Sequence, residues 1–200
     1  MERIRAFIAI ELTDEVKAAI SRLQSRLKSA SPVPARWVAP QGIHLTLKFL
    51  GDIPLNSASA VTGAMQQAAR EIPPFRLQVR GLGVFPNPRR VRIAWAGIEG
   101  DLTHLVRLQE RLDDGLVPLG FARETRAFTP HLTLARVRDS ASPAEQESFG
   151  KIVTAATFSE APGFSVGSVH LIKSQLGREG AVYDRISSVA LEKPLPTSTA

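Results

Sequence analysis

Polar and apolar residues alternate strictly in two short segments of the chain, residues 44–47 and 131–134, and both segments read His-Leu-Thr-Leu. Such alternation predicts a half-buried β-strand, because residues two positions apart on a strand point to the same face. Each predicted strand therefore presents a histidine and a threonine on one face and two leucines on the other. We expect the leucines to pack in a core and the two polar faces to line one shared site.

The periodicity elsewhere predicts an alternation of strands and helices. Apolar residues recur at helical spacing after Thr13, which we interpret as an N-cap because two acidic residues follow it. A further helix is predicted to begin at a capping box in residues 142–145. A turn rich in glycine and proline is predicted at 83–88. The predicted helices end near residues 30, 70, 116 and 156, and the predicted strands cover 5–10, 36–38, 44–51, 75–82, 91–98, the segment from 131, 164–174 and 181–191.

A second internal repeat accompanies the two motifs. Residues 22–27 (Arg-Leu-Gln-Ser-Arg-Leu) match residues 107–112 (Arg-Leu-Gln-Glu-Arg-Leu) at five of six positions, and each copy lies on a predicted helix that precedes a motif strand. We interpret the chain as a duplicated α+β unit with two lobes and pseudo-twofold symmetry. Strands alternating with helices would also fit a parallel βαβ sheet, but half-buried alternation favours sheets with one open face.

The composition is that of an ordinary globular protein, with 44% hydrophobic and 22% charged residues in a chain of 200. We predict a single domain over residues 1–192, built of the two lobes, and a disordered tail at 193–200. No apolar run approaches the roughly 20 residues that a membrane-spanning helix needs. The first residues lack a signal-peptide pattern, so we expect a cytoplasmic protein.

The net charge of the chain indicates the kind of partner it suits, and its cysteine and histidine content indicates whether it can bind a metal. The chain carries 25 lysines and arginines against 19 acidic residues, a net charge of +6, which suits a polyanionic partner such as RNA. It has no cysteine, so disulfides and thiolate metal sites are excluded. Its four histidines form no ligand cluster, and we expect no metal. We interpret His104 as a surface residue and His170 as a structural histidine with satisfied hydrogen bonds.

Two histidines beside two hydroxyl groups can catalyse phosphodiester hydrolysis without a metal. A neutral imidazole takes a proton from water, and a protonated imidazole gives a proton to the leaving oxygen. The hydroxyl groups donate hydrogen bonds to phosphate oxygens and stabilise the charge that develops there. The spacing alone does not decide which histidine has which role.

The paired motif resembles the His-x-Thr/Ser-x signature of the 2H phosphoesterase superfamily. Its flanks resemble more narrowly the bacterial RNA 2',3'-cyclic phosphodiesterases, a family first named for 2'-5' RNA ligase activity. The resemblance covers nearly the whole chain, as far as residue 191. It rests on Phe-Ile-Ala-Ile at 7–10, Arg-Trp-Val at 36–38, the first motif with its tail at 44–51, Gly-Leu-Gly-Val-Phe-Pro at 81–86, Phe-Thr-Pro-His-Leu-Thr-Leu-Ala-Arg at 128–136, and the segment from Ser174 to Tyr183.

The resemblance implies two antiparallel sheets that line a central cleft, with the helices outside. It also implies hydrolysis of an RNA 2',3'-cyclic phosphate to a 2'-phosphomonoester, by a monomer without a cofactor. His131 would deprotonate the attacking water, and His44 would protonate the departing 3'-oxygen. Thr46 and Thr133 would bind the phosphate, and Arg136 would neutralise it or contact the base.

Strict alternation conflicts with part of this picture. It places Arg136 on the core face, so a role at the phosphate requires a strand end or a bulge there. It also places Phe49, a side chain suited to stacking on a base, in the core beside Leu47. Lys48 shares the face of His44 and is predicted at the rim of the site. Two other functions stay open: a 2'-5' RNA ligase that acts on tRNA halves, and a non-catalytic module that binds RNA ends.

Overall fold

Two antiparallel sheets form the centre of the molecule in the computed structural model, which describes residues 2–159, 161–177 and 180–192. The strands are β1 (Arg3–Glu11), β2 (Ala35–Trp37), β3 (His44–Pro54), β4 (Phe75–Phe85), β5 (Ile93–Gly100), β6 (His131–Val137), β7 (Phe164–Val166), β8 (Ser168–Gly177) and β9 (Gly180–Ala190). The helices are α1 (Asp14–Ala30), α2 (Ala58–Ala69), α3 (Leu102–Leu116) and α4 (Pro143–Ala155). The predicted tail at 193–200 lies outside the described residues. No helix in the described part is long and apolar enough to cross a membrane.

Each motif strand belongs to a different sheet. The first sheet has the strand order β3-β1-β8-β9, and the second has the order β2-β6-β5-β4-β7. All the pairings are antiparallel, so the duplicated α+β fold with two antiparallel sheets is confirmed. The motif strands β3 and β6 contact each other where the two sheets meet.

The helices cover the outer faces of the sheets, and two of them cross from one sheet to the other. Helix α1 follows β1 of the first sheet, but its Gln24 side chain donates hydrogen bonds to Val38 and Leu134 beside the second sheet. Helix α3 follows β5 of the second sheet, but its Asp113 pairs with Lys48 on β3 of the first. Each of these two helices therefore follows a strand of one sheet in the chain and contacts the other sheet.

The core lies between these helices and the sheets, as the alternation predicts. The four motif leucines, Leu45, Leu47, Leu132 and Leu134, are all at least 96% buried. Helix α1 turns Val16, Ile20 and Leu23 inward, and α3 does the same with Leu105, Leu108 and Leu112. The two copies of the helical repeat thus occupy matching positions in the core.

Several sequence-based strand boundaries are wrong by two or more residues, and two of these differences change the description of the sheets. Strand β4 continues to Phe85, so the predicted turn at 83–88 begins later than expected. Gly83 serves close packing and not a turn, because a Cβ atom there would lie 2.2 Å from the Trp95 ring on β5. The predicted strand at 164–174 is two strands separated at Gly167, and β7 pairs in the second sheet while β8 pairs in the first.

Both motif strands carry a bulge at the same place. In β3, Thr46 pairs with Ala9 and Lys48 with Ile8, which leaves Leu47 as the extra residue. In β6, Thr133 pairs with Trp95 and Ala135 with Ala94, which leaves Leu134 as the extra residue. A bulge shifts the alternation by one position, so the residues after it change faces. Listed from the histidine, both strands show the same order of buried and accessible positions.

The bulges correct the expectations for three side chains. Phe49 is not in the core; its side chain is 68% exposed. Lys48 is not at the rim of the site; it is 9% exposed and paired with Asp113. Arg136 lies at the position in β6 that Phe49 occupies in β3, and it is exposed as its predicted role requires. The strict alternation that placed Arg136 in the core fails one residue after Thr133.

Candidate active site

The first motif histidine is held in one orientation by its neighbours. His44 Nδ1 lies 2.8 Å from the carbonyl oxygen of Gly42, two residues earlier in the chain. A carbonyl oxygen only accepts hydrogen bonds, so Nδ1 carries the hydrogen and Nε2 is left for a ligand. The imidazole stacks on the Phe7 ring at 4.4 Å and meets the edge of the Tyr183 ring at 5.1 Å.

The second motif histidine repeats this arrangement. His131 Nδ1 lies 2.7 Å from the carbonyl oxygen of Thr129, again two residues earlier. The ring packs against Phe85, with centroids 5.1 Å apart, and against Trp95 at 6.2 Å. Both histidines therefore enter their strands with the Nδ1 atom tied to the backbone and the Nε2 atom unused by that contact.

One threonine accompanies each histidine, two residues along the strand. Thr46 and Thr133 are both partly exposed. Within the described residues neither hydroxyl has a hydrogen-bond partner, so both can donate to an added anion. The predicted pairing of imidazole and hydroxyl on one face is thus present in each strand.

The charge of Arg136 connects the two strands. Burial lowers the pKa of His44 to about 4, and the guanidinium of Arg136 acts in the same direction. The Gly42 carbonyl and the Glu11 carboxylate oppose this lowering but do not cancel it. Arg136 also lowers the pKa of Tyr183, although burial has the larger effect and raises it. A side chain of β6 therefore lies close enough to two rings of the first sheet to influence their pKa values, in agreement with the contact between β3 and β6.

An acidic residue lies beside the first histidine. Glu11 is the direct cross-strand partner of His44, and its carboxylate forms an ion pair with Arg185 on β9. Burial raises the pKa of Glu11, but the hydrogen bond from Arg185 and nearby positive charge outweigh it and leave the pKa below its usual value. Within the described residues, no group of three or more histidine and acidic side chains is placed to hold a metal ion.

The buried ion pair behind the first motif positions a loop. Lys48 Nζ bonds to the Asp113 carboxylate and donates to the carbonyl oxygen of Ala122 at 2.6 Å. The other oxygen of Asp113 accepts from the backbone N–H of Glu124 at 2.9 Å. Lys48 thus ties β3 to the segment that leads into the second motif.

The other two histidines, His170 and His104, do not belong to the two motifs. His170 is buried as expected, with Nε2 3.2 Å from the Ser168 hydroxyl, but its Nδ1 has no hydrogen-bond partner. The expectation of a fully satisfied histidine is therefore wrong. His104 is partly buried, and its Nδ1 lies 2.7 Å from the Asp101 carboxylate at the start of α3.

Four rings flank the histidines, and the sequence assigned a role, that of core or rim packing, to Trp95 alone among them. They are Phe7, Tyr183, Phe85 and Trp95. Three of them lie in segments that carry the family resemblance, and that was the available signal. Their contribution is packing that fixes the imidazole planes, which periodicity alone does not reveal.

A family model described as LigT-like phosphoesterase matches two segments of the chain, residues 10–95 and 99–183. The chain belongs to the LigT-like phosphoesterase family. Each matched segment contains one His-Leu-Thr-Leu motif, so the match divides this LigT-like chain where the internal repeat does.

Curated relatives of this LigT-like phosphoesterase carry the name RNA 2',3'-cyclic phosphodiesterase. One, from Methanothermobacter thermautotrophicus, is 34% identical over 181 residues, which cover 90% of this chain and 95% of that protein. Another, from Aquifex aeolicus, is 31% identical over 188 residues, which cover 92% of this chain and 95% of that protein. The prediction of the family is confirmed.

Solved structures of similar proteins share the fold. A Thermus thermophilus protein has a TM-score of 0.78 and 30% identity, over 95% of this chain and 99% of its own. The E. coli protein LigT, in complex with 3'-AMP, has a TM-score of 0.77 and 26% identity, over 96% of this chain and all of its own. Both agree with the arrangement of two sheets described above.

Proposed function

We propose that this LigT-like phosphoesterase hydrolyses RNA 2',3'-cyclic phosphate ends to 2'-phosphomonoesters, without a metal ion. The observation that carries the proposal is the duplicated arrangement of each motif. Two imidazoles, each with Nδ1 tied to a backbone carbonyl, stand beside threonine hydroxyls that have no partner in the described residues. That set supplies a proton acceptor, a proton donor and two hydrogen-bond donors to one phosphate. The names of the curated relatives support the same substrate.

The proposed reaction is a single displacement at phosphorus. His131 Nε2 accepts a proton from water as the water oxygen bonds to phosphorus. The bond from phosphorus to the 3'-oxygen breaks, and His44 Nε2 gives its proton to that oxygen. The 2'-oxygen keeps its phosphate, so the product is a 2'-phosphomonoester and a free 3'-hydroxyl.

The anion itself supplies the condition under which His44 can act as the donor. Burial lowers the pKa of this imidazole to about 4, so the ring is neutral near pH 7 when no anion lies beside it. A negative phosphate next to Nε2 favours the protonated ring, because an opposite charge within about 4–6 Å raises a histidine pKa. The proton would therefore be bound together with the substrate.

The other predicted residues surround the same phosphate in this proposal. Thr46 and Thr133 donate to its non-bridging oxygens, and Arg136 compensates its charge from the side of β6. The ring of Phe49 is exposed, and its centroid lies 6.2 Å from that of Phe7, which stacks on His44. The terminal base can stack on this exposed ring.

Product analysis on a short RNA with a 2',3'-cyclic phosphate end tests the proposal. We expect a 2'-phosphate product that persists in EDTA, and its loss in His44→Ala and His131→Ala. His104→Ala, which removes a histidine outside the cleft, should keep activity. A 3'-phosphate product, full activity in either motif variant, or activity that requires an added metal would contradict the mechanism. A 2'-5' junction between tRNA halves would instead identify a ligase, and binding without turnover would identify a binding module.

A further inference from the structure

A pair of arginines lies side by side at the edge of the second sheet. Arg36 on β2 is the direct antiparallel partner of Arg136 on β6. Residues that face each other in this way project from the same side of a sheet, with Cα atoms about 4.5–5.5 Å apart. Arg36 therefore shares the face that carries the second motif.

The packing of the next residue supports this orientation. Trp37 follows Arg36 on β2, and its ring meets the edge of Phe149 on α4 at 6.0 Å. Helix α4 lies behind the second sheet, and successive residues on a strand point to opposite faces. The side chain of Arg36 therefore projects away from the helices and toward the cleft.

The charge of Arg36 is not compensated by the described residues. It is exposed, and no carboxylate in the described part of the chain forms an ion pair with it. Arg123 stands eight residues before His131 as Arg36 stands eight before His44, but Arg123 pairs with Asp114 at 2.7 Å. The two halves thus differ at this point, and only the copy beside Arg136 keeps a guanidinium open to an anion.

We propose, on the basis of the proposed function, that Arg36 binds the phosphodiester that joins the terminal nucleotide to the preceding one. Arg136 lies on the strand of His131 and Thr133, exposed after the bulge, and is assigned to the reacting phosphate. Arg36 lies one strand farther out, at the edge where a chain can leave the cleft. The next negative charge along an RNA from its cyclic end is that phosphodiester. Arg36 thereby makes the enzyme specific for RNA ends over cyclic mononucleotides.

Two substrates that differ only in this phosphate test the proposal. One is a nucleoside 2',3'-cyclic phosphate with a free 5'-hydroxyl, and the other is a dinucleotide that ends in the same cyclic nucleotide. Arg36→Gln should lower kcat/KM for the dinucleotide about tenfold, the order expected for one hydrogen-bonded contact to a charged group, and leave the mononucleotide unchanged. Arg22→Gln, the same change at an exposed position of α1, should affect neither substrate.

Salt dependence provides a second measurement. The slope of log kcat/KM against log salt for the dinucleotide should become shallower by about 0.7 in Arg36→Gln, as expected when one contact to a single strand is lost. Equal losses on both substrates would overturn the proposal, because Arg36 would then act on the reacting phosphate or on the fold. Unchanged kinetics on both would overturn it as well. Failure of the wild-type protein on both substrates would instead refute the proposed function.

Discussion

Anion binding should place a proton on His44, and the structure gives the size of the effect. Lowering the pKa from 6.5 to about 4 corresponds to about 3.4 kcal/mol, at 1.36 kcal/mol for each tenfold change. A unit negative charge about 4 Å from the ring contributes about 4 kcal/mol in the opposite direction at an effective dielectric constant of 20. The two effects nearly cancel, so the pKa of His44 should return to near neutrality in the complex.

Sulfate is a suitable probe because it does not titrate in this range. Proton linkage requires the complex to take up a proton wherever the free ring is neutral and the bound ring is charged. The association constant for sulfate should therefore rise about tenfold for each unit by which the pH is lowered from about 6.5 to about 4. Calorimetric titrations measure this constant, and NMR titration of the histidine ring protons, with and without sulfate, measures the pKa directly. His44→Gln identifies the signal and should remove this part of the pH dependence.

A pKa of His44 near 6.5 in the free protein would refute this prediction, because burial would then not control the proton of the ring. A pKa that stays near 4 in the sulfate complex would refute it as well. In that case His44 could not be the proton donor at neutral pH, and the roles of the two motif histidines would have to be exchanged.

Three substitutions test the support behind the motifs. Gln24→Leu removes the amide that donates to the carbonyl oxygens of Val38 and Leu134. The Leu134 oxygen keeps its bond from the Val38 N–H, but the Val38 oxygen loses its donor, so the protein should be destabilised by about 1–3 kcal/mol in urea denaturation. Lys48→Met leaves the Asp113 carboxylate buried and unpaired and should cost about 3–5 kcal/mol, whereas an additional Asp113→Leu should recover part of that loss. Gly83→Ala places a methyl group against the Trp95 ring beside His131, so it should lower the free energy of unfolding by about 1–3 kcal/mol and also lower kcat. A wild-type kcat would show that the indole ring is not needed to position the histidine.

The motif itself is the part of the site that the sequence predicts well. Its alternation is local, and its repetition 87 residues later indicates two similar strands. The resemblance of the flanks then indicates the family. The burial of Leu45 and Leu132 and the accessibility of the motif histidines follow from the same period of two.

Prediction fails where a second strand decides the outcome. A bulge depends on how many residues the partner strand supplies, and that is not written in the alternation of β3 or β6. The faces of Lys48 and Phe49 were therefore predicted the wrong way round, although the residue types offered a clue. A lysine that must find Asp113, 65 residues away, gives no local signal of burial.

The crossing of α1 and α3 between the sheets has a consequence for how the chain can be divided. Neither duplicated unit forms a complete sheet by itself. The hairpin of β8 and β9, from the end of the chain, completes the first sheet, and β2, from the first half, is the edge strand of the second. A fragment cut between the two family segments would expose the underside of strands whose covering helix had been left on the other piece. Such halves should associate tightly when expressed together and aggregate when expressed alone.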